Sequence, residues 1–196
     1  MTDDAANGEE PRNPWLAEAE RVDHAVYYAV ADTPTPHLDM AMRRVSTAAN
    51  YSRLSMAAAG LLAATGGARG RRAARSGLTA VAATSAFVNL AVKPLGRRRR
   101  PERSEVATAS ERAVRMPSSR SFPSGHTAAA VAFASGVSRV MPAAGAPLHA
   151  LAALVGYSRV HTGVHYPGDV VAGAVIGAAI AGLTARPKDP KDRREN

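Results

Sequence analysis

Apolar and polar positions fall in blocks along this chain, with basic residues punctuating the blocks. Residues 15 to 30 set Trp15, Leu16, Val22, Val26 and Val30 among charges, a spacing that predicts a short amphipathic helix. "DTPTP" then breaks the pattern. A helix is predicted over about 37–65, charged early and apolar late ("LSMAAAGLLAAT"). "GGARGRRAARSG" reads as a basic turn, and "LTAVAATSAFVNLAV" follows without a charge up to Lys93. Residues 96–121 form a long, polar, Arg-rich connection. Three further apolar segments follow, at roughly 123–138, 147–158 and 167–185.

A helix that crosses a bilayer needs about 20 mostly apolar residues. "PGDVVAGAVIGAAIAGLTA" meets that length, and the other segments are shorter and rich in Ala and Gly. Gly173 and Gly177 give a small-xxx-small spacing that suits close helix packing in membranes. The same residues suit a soluble bundle, and the mean hydropathy of −0.15 is depressed by polar tails and the Arg-rich connection. Hydropathy alone leaves both bundles open.

Charge and composition narrow the partners. Lys and Arg number 25 against 16 Asp and Glu, a net charge of +9, which favours nucleic acid, acidic headgroups or a phosphorylated substrate. Aromatic residues make up 5% and supply little base-stacking surface near the basic runs, which counts against single-stranded nucleic acid. There is no Cys, hence neither a disulfide framework nor a thiolate metal site. Residues 1–14 are acidic and polar and read as a disordered tail, not as a signal peptide; 186–196 read as a charged tail. Residues 15–185 then form one helical domain.

Three stretches carry candidate chemistry. In "SFPSGHTAAA", Ser124 and Gly125 make a natural helix start, whose free N–H groups and dipole suit an anion, with His126 in the first turn. In "KPLGRRRRP", Lys93 closes an apolar segment, and Arg100–Pro101 follows seven residues on. In "SRVHTGVHYPGD", Arg159, His165 and Asp169 flank a turn that opens the last helix, with Pro167 suited to its first turn. His165 and Asp169 stand four apart, near enough for the carboxylate to fix the imidazole tautomer and raise the basicity of its other nitrogen. Lys93, Arg100 and Arg159 can neutralise phosphate oxygens without a metal. His161, His165 and Asp169 also fall at i, i+4 and i+8, a metal-like spacing that Pro167 and Gly168 interrupt. His149 reads as a turn or helix-start residue, and His24 and His37 as surface or interface residues.

Taken together, these stretches resemble the signature of the type 2 phosphatidic acid phosphatase superfamily: K-x6-R-P, then P-S-G-H, then S-R-x5-H-x3-D. The chain matches at Lys93, Arg100, Pro101, Pro123, Ser124, Gly125, His126, Ser158, Arg159, His165 and Asp169, without departure. The resemblance implies an all-α, multi-pass transmembrane helical bundle of about five spans plus an N-terminal amphipathic helix. It implies His165 as the nucleophile that forms a phosphohistidine, Asp169 as its orienting carboxylate, and His126 as general acid and then base. Lys93, Arg100, Ser124, Gly125 and Arg159 would hold the phosphate, with no metal or other cofactor. The expected partners are a lipid phosphate monoester or diphosphate and the bilayer, with no specific nucleic acid. No oligomeric state is implied. The expected location is the cell membrane with the site outside the cytoplasm. Rival readings are a soluble acid phosphatase of the same superfamily, which would be expected to carry a secretion signal, and a basic nucleic-acid or membrane-surface binder with a vestigial site. The superfamily's haloperoxidases are generally larger chains.

Overall fold

A computed structural model of the chain describes residues 13–96, 98–104 and 107–185. The tails expected at 1–14 and 186–196 lie outside these residues, except for Asn13 and Pro14. The Asn13 side chain caps the first helix by accepting the Trp15 N–H at 3.1 Å, and Pro14 occupies its first turn. All regular structure among the described residues is helical: α1 (Pro14–Asp32), α2 (Pro36–Ala48), α3 (Arg53–Thr65), α4 (Gly67–Phe87), α5 (Lys93–Leu95), α6 (Ala107–Glu111), α7 (Gly125–Ser138), α8 (Gly145–His161) and α9 (Pro167–Leu183). The expected all-α class is what the chain forms.

Two local expectations are corrected. The helix predicted over 37–65 is two helices, because Tyr51 (φ 56°) and Ser52 (φ 55°) adopt left-handed backbone and turn the chain between α2 and α3. The basic turn predicted at 66–77 is instead the first half of α4. Gly67, at φ +55°, makes the reversal alone. Gly66 and Gly70 serve close approach, since a Cβ on either would collide with the Leu62 carbonyl of α3.

α4 runs on through a π-helical turn, Val88–Val92, into α5. Pro94 lacks an N–H and its ring crowds the carbonyl four residues back, so a widened turn there accommodates it. The continuous Gly67–Leu95 rod has 29 residues and is, among the described residues, the one helix long and apolar enough to cross a membrane; Pro167–Leu183 is apolar but shorter.

Glycine seams hold the bundle around α7. A Cβ on Gly77 of α4 would stand 2.7 Å from the Phe133 ring of α7, and one on Gly136 of α7 would stand 2.9 Å from the Gly77 Cα. Ser76 Oγ closes that crossing by donating to the Gly136 carbonyl at 2.8 Å. On the other side of α7, Gly173 and Gly177 of α9 lie against the carbonyls of Ser124 and Ala128, which is the close approach their spacing predicted. These crossings bring the C-terminal end of α4–α5, the N-terminus of α7, the C-terminus of α8 and the N-terminus of α9 to one end of the bundle.

Candidate active site

Each motif contributes through a helix terminus. Ser124 caps α7, accepting the Thr127 N–H at 3.4 Å while its hydroxyl sits 2.9 Å from Thr127 Oγ1. A Cβ on Gly125 would lie 3.6 Å from Lys93 Nζ, so the opened helix start and the lysine adjoin. At the start of α9, Pro167 takes the first helical position, and Asp169 Oδ2 accepts the Tyr166 N–H at 3.0 Å. The N-termini of α7 and α9 are joined directly, because the Ser124 N–H donates to the Asp169 carbonyl at 2.9 Å.

His165 sits in the short link before α9 and is 1% exposed. Its Nδ1 donates to Asp169 Oδ2 at 3.4 Å, which leaves the lone pair on Nε2. Arg100 Nη1 lies 3.3 Å from that Nε2 and donates to the Val164 carbonyl at 2.7 Å. The remaining Arg100 N–H groups engage the carbonyls of Ser119 at 3.0 Å and Arg120 at 3.2 Å. Burial pushes the His165 imidazole down to about 4, with Arg100 and Arg159 adding to that and the Asp169 bond opposing it. His165 is therefore neutral at pH 7.

Asp169 is fully buried and well supplied with donors. Besides His165 and the Tyr166 N–H, it accepts the Ser121 hydroxyl on Oδ2 and Arg98 Nη1 on Oδ1 at 3.2 Å. Lys93 Nζ donates to Ser119 Oγ at 3.2 Å. Arg159 is buried in α8, with Nη1 donating to the Ser46 carbonyl at 2.9 Å and to Ser46 Oγ at 2.7 Å. His126 Nε2 donates to Asn50 Oδ1 at 3.0 Å, across the α2–α3 turn.

The eight predicted site residues thus gather at one end of the bundle. His161 does not join them as a metal ligand: it pairs with Asp39 of α2 at 2.9 Å, and Asp39 also pairs with buried Arg112 at 2.8 Å. His149 is one turn into α8, bonded to the Gly145 carbonyl at 2.9 Å. His24 stacks on Tyr166 with centroids 4.5 Å apart. Sequence reasoning missed Asn50, Ser46, Ser119, Ser121 and Arg98. The serines at 118, 119 and 121, bunched just ahead of "FPSGH", were a signal; Ser46 and Asn50 had none.

A buried imidazole held by a carboxylate, with its other nitrogen accepting from a guanidinium and a helix start beside a lysine, defines a site for phosphoryl chemistry in an all-helical bundle. The model of the PAP2 superfamily matches residues 75–191, and the chain belongs to that family. Its fold is that of a transmembrane PAP2-type phosphatidylglycerolphosphate phosphatase from Bacillus subtilis (TM-score 0.65, 22% identity, 91% of this chain and 88% of that one). LpxE of Aquifex aeolicus is similar as well (TM-score 0.64, 23% identity, 83% and 94%). In sequence, the chain is 38% identical over 108 residues to the decaprenylphosphoryl-5-phosphoribose phosphatase of Mycobacterium tuberculosis, covering 53% of this chain and 57% of that protein. It is 42% identical over 65 residues to the lipid A 1-phosphatase of Rhizobium johnstonii, covering 33% and 27%. The alignments span little more than half the length of the first relative and about a quarter of the second.

Proposed function

We propose that the chain is a membrane-embedded phosphatase that hydrolyses a lipid phosphate monoester or diphosphate through a phosphohistidine. The observation that carries this reading is the placement of Arg100 Nη1 at 3.3 Å from His165 Nε2 while Nδ1 is held by Asp169. A phosphate oxygen that takes over the Arg100 N–H now donated to Nε2 would free that lone pair and bring phosphorus to it.

In the first step the Nε2 pair forms an N–P bond as the P–O ester bond breaks, and His126 gives its proton to the departing oxygen. In the second, His126 takes a proton from water, the hydroxyl attacks phosphorus, and the N–P pair returns to Nε2. Lys93, Arg100, Arg159 and the Ser124–Gly125 helix start hold the equatorial oxygens, whose charge they stabilise as it shifts. Asp169 fixes the tautomer and balances the imidazolium charge. No step needs a metal, because the three cations supply the positive charge.

Exposed apolar side chains support the membrane placement. Leu61, Leu90 and Val175 are 65%, 80% and 63% exposed, on three different helices, and hydrocarbon would cover them. Our reading has several helices crossing, with residues 15–185 as one membrane domain between short tails. The site end faces away from the cytoplasm. In support, Arg69, Arg71, Arg72 and Arg75 are exposed at the opposite end, as the excess of positive charge on cytoplasmic loops requires. At the site end Arg98, Arg100, Arg112 and Arg159 are drawn into internal acceptors, which leaves Arg99, Arg115 and Arg120 exposed there.

The test is phosphate release by the purified protein in detergent from a panel of lipid phosphates: phosphatidic acid, phosphatidylglycerol phosphate, and polyprenyl phosphates and diphosphates. Release from at least one, undiminished by a chelator and absent in His165→Ala, is expected. Specific binding of nucleic acid with no turnover on any lipid would favour the basic binding protein instead.

A further inference from the structure

Helix α1 lies outside the residues matched by the family model, yet one of its side chains reaches the His165–Asp169 pair. Asp23 Oδ2 pairs with Arg98 Nη2 at 2.6 Å, and Arg98 Nη1 in turn donates to Asp169 Oδ1 at 3.2 Å. The other Asp23 oxygen accepts the Gly168 N–H at 2.6 Å, one residue before Asp169. A Cβ at Gly168 would stand 2.9 Å from Asp23 Oδ2, so a side chain there would push the carboxylate back. The Arg98 guanidinium also lies 4.3 Å from the Tyr166 ring centroid, and His24 of α1 stacks on the same ring.

We propose that Asp23 and Arg98 are positioning residues that hold Asp169, and through it His165, in the reactive orientation, so that docking of α1 completes the catalytic site. This inference rests on the phosphatase reading above. The charge arrangement gives the reason. Asp169 is fully buried and needs a countercharge besides its neutral donors. Arg98 supplies it, but Arg98 alone would draw the carboxylate's charge away from His165. Asp23 offsets that pull, leaving one net negative charge across the three groups to face the imidazolium. The same carboxylate pins the backbone at the start of α9. An ion pair on an open surface would do little of this. Here the Arg98 and Asp23 side chains are only 21% and 11% exposed, and burial of Arg98 is outweighed by its two acids, which hold it charged. The run "GRRRR" conceals the role: Pro101 marks Arg100 as the motif arginine, and nothing in the pattern marks Arg98.

The test is steady-state kinetics of the full chain in detergent on a lipid phosphate that the wild type hydrolyses. Asp23→Asn and Arg98→Gln are each expected to lower kcat about tenfold, with KM within about twofold, because the phosphate-holding residues are untouched. The double variant should fall no more than about twofold below the worse single one, since Asp23 acts through Arg98. Asp23→Glu should recover part of kcat, and thermal unfolding of each variant reports whether it is folded. A kcat for Asp23→Asn within about twofold of wild type, losses that multiply to about 100-fold, or a raised KM with unchanged kcat would each overturn the proposal. Should Asp23→Asn not fold, Arg98→Lys decides. Lysine keeps the charge but cannot fork between two carboxylates, so an unchanged kcat there would also overturn it. A wild type inactive on every lipid would instead overturn the phosphatase reading.

Discussion

His165 meets two opposed influences, burial with its arginine neighbours on one side and Asp169 on the other, and burial prevails, setting the imidazole at about 4. The sign matters for rate. A nucleophile must be neutral, so activity on this account is insensitive to His165 titration near neutrality. It falls about tenfold per pH unit once the pH drops below about 4. A pH profile of kcat/KM in detergent checks this, and an acid limb near the ordinary histidine value would contradict it. The two histidines separate by leaving group. His165→Ala should lose turnover on every substrate. His126→Ala should lose phosphate release from a lipid monoester, whose alkoxide needs a proton, yet partly keep the single-turnover burst from an activated aryl phosphate. The reverse pattern would exchange the roles. The motif residues were legible because short-range spacing places each at a helix end: Ser124 caps α7, and His165 and Asp169 flank the start of α9. Their supports were not, because Asn50 lies 76 positions from His126 and Ser46 lies 113 from Arg159. The packing of α2 against α8 creates the Ser46–Arg159 pair, and the seating of the α2–α3 turn on the start of α7 creates the Asn50–His126 pair.

Among the helices, the same logic explains what the pattern showed and hid. The break at "DTPTP" and the last three apolar segments were legible from proline placement and apolar runs, and they fall close to α7, α8 and α9. The division of 37–65 was hidden because left-handed backbone at Tyr51 and Ser52 leaves no mark in hydropathy. The glycines of 66–77 read as turn residues, although Gly70 and Gly77 are helical and carry contacts with α3 and α7. This contrast yields a prediction. Gly136→Val would force a side chain against α4 at the Gly77 crossing and should lower stability by about 1–3 kcal/mol. Gly60→Ala, where a Cβ meets nothing within 4 Å, should be neutral or stabilise by up to about 1 kcal/mol. Thermal unfolding in detergent compares them, and equal effects would refute the glycine-seam account. Helix α1 makes a separate prediction. Trp15 is the chain's single tryptophan and is 81% exposed, on a face shared with Leu16, Val22 and Val26. If that face lies in the membrane interface, tryptophan emission in bilayer vesicles should shift to the blue and be quenched by lipids brominated near the headgroup. Unshifted, unquenched emission would place α1 off the membrane.

For the whole molecule, the bundle acts as a frame that converts helix crossings into a cluster of cations around one oriented imidazole. Close glycine packing of α4, α7 and α9 sets the distances, and the N-terminal segment adds Asp23, Ser46 and Asn50 from outside the family-matched residues. The net charge of +9 is accordingly uneven in purpose: some arginines build the site and others remain exposed at both ends of the bundle. The central claim is covalent catalysis by His165. Its most direct test is rapid acid-free quenching of the purified protein with a labelled lipid phosphate, followed by peptide mapping. The account predicts a phosphoryl group that is stable to alkali, labile to acid, and carried by His165. It should be absent in His165→Ala, and it should form in the presence of a chelator. Label found on a serine, or on another residue in His165→Ala with turnover intact, would contradict it.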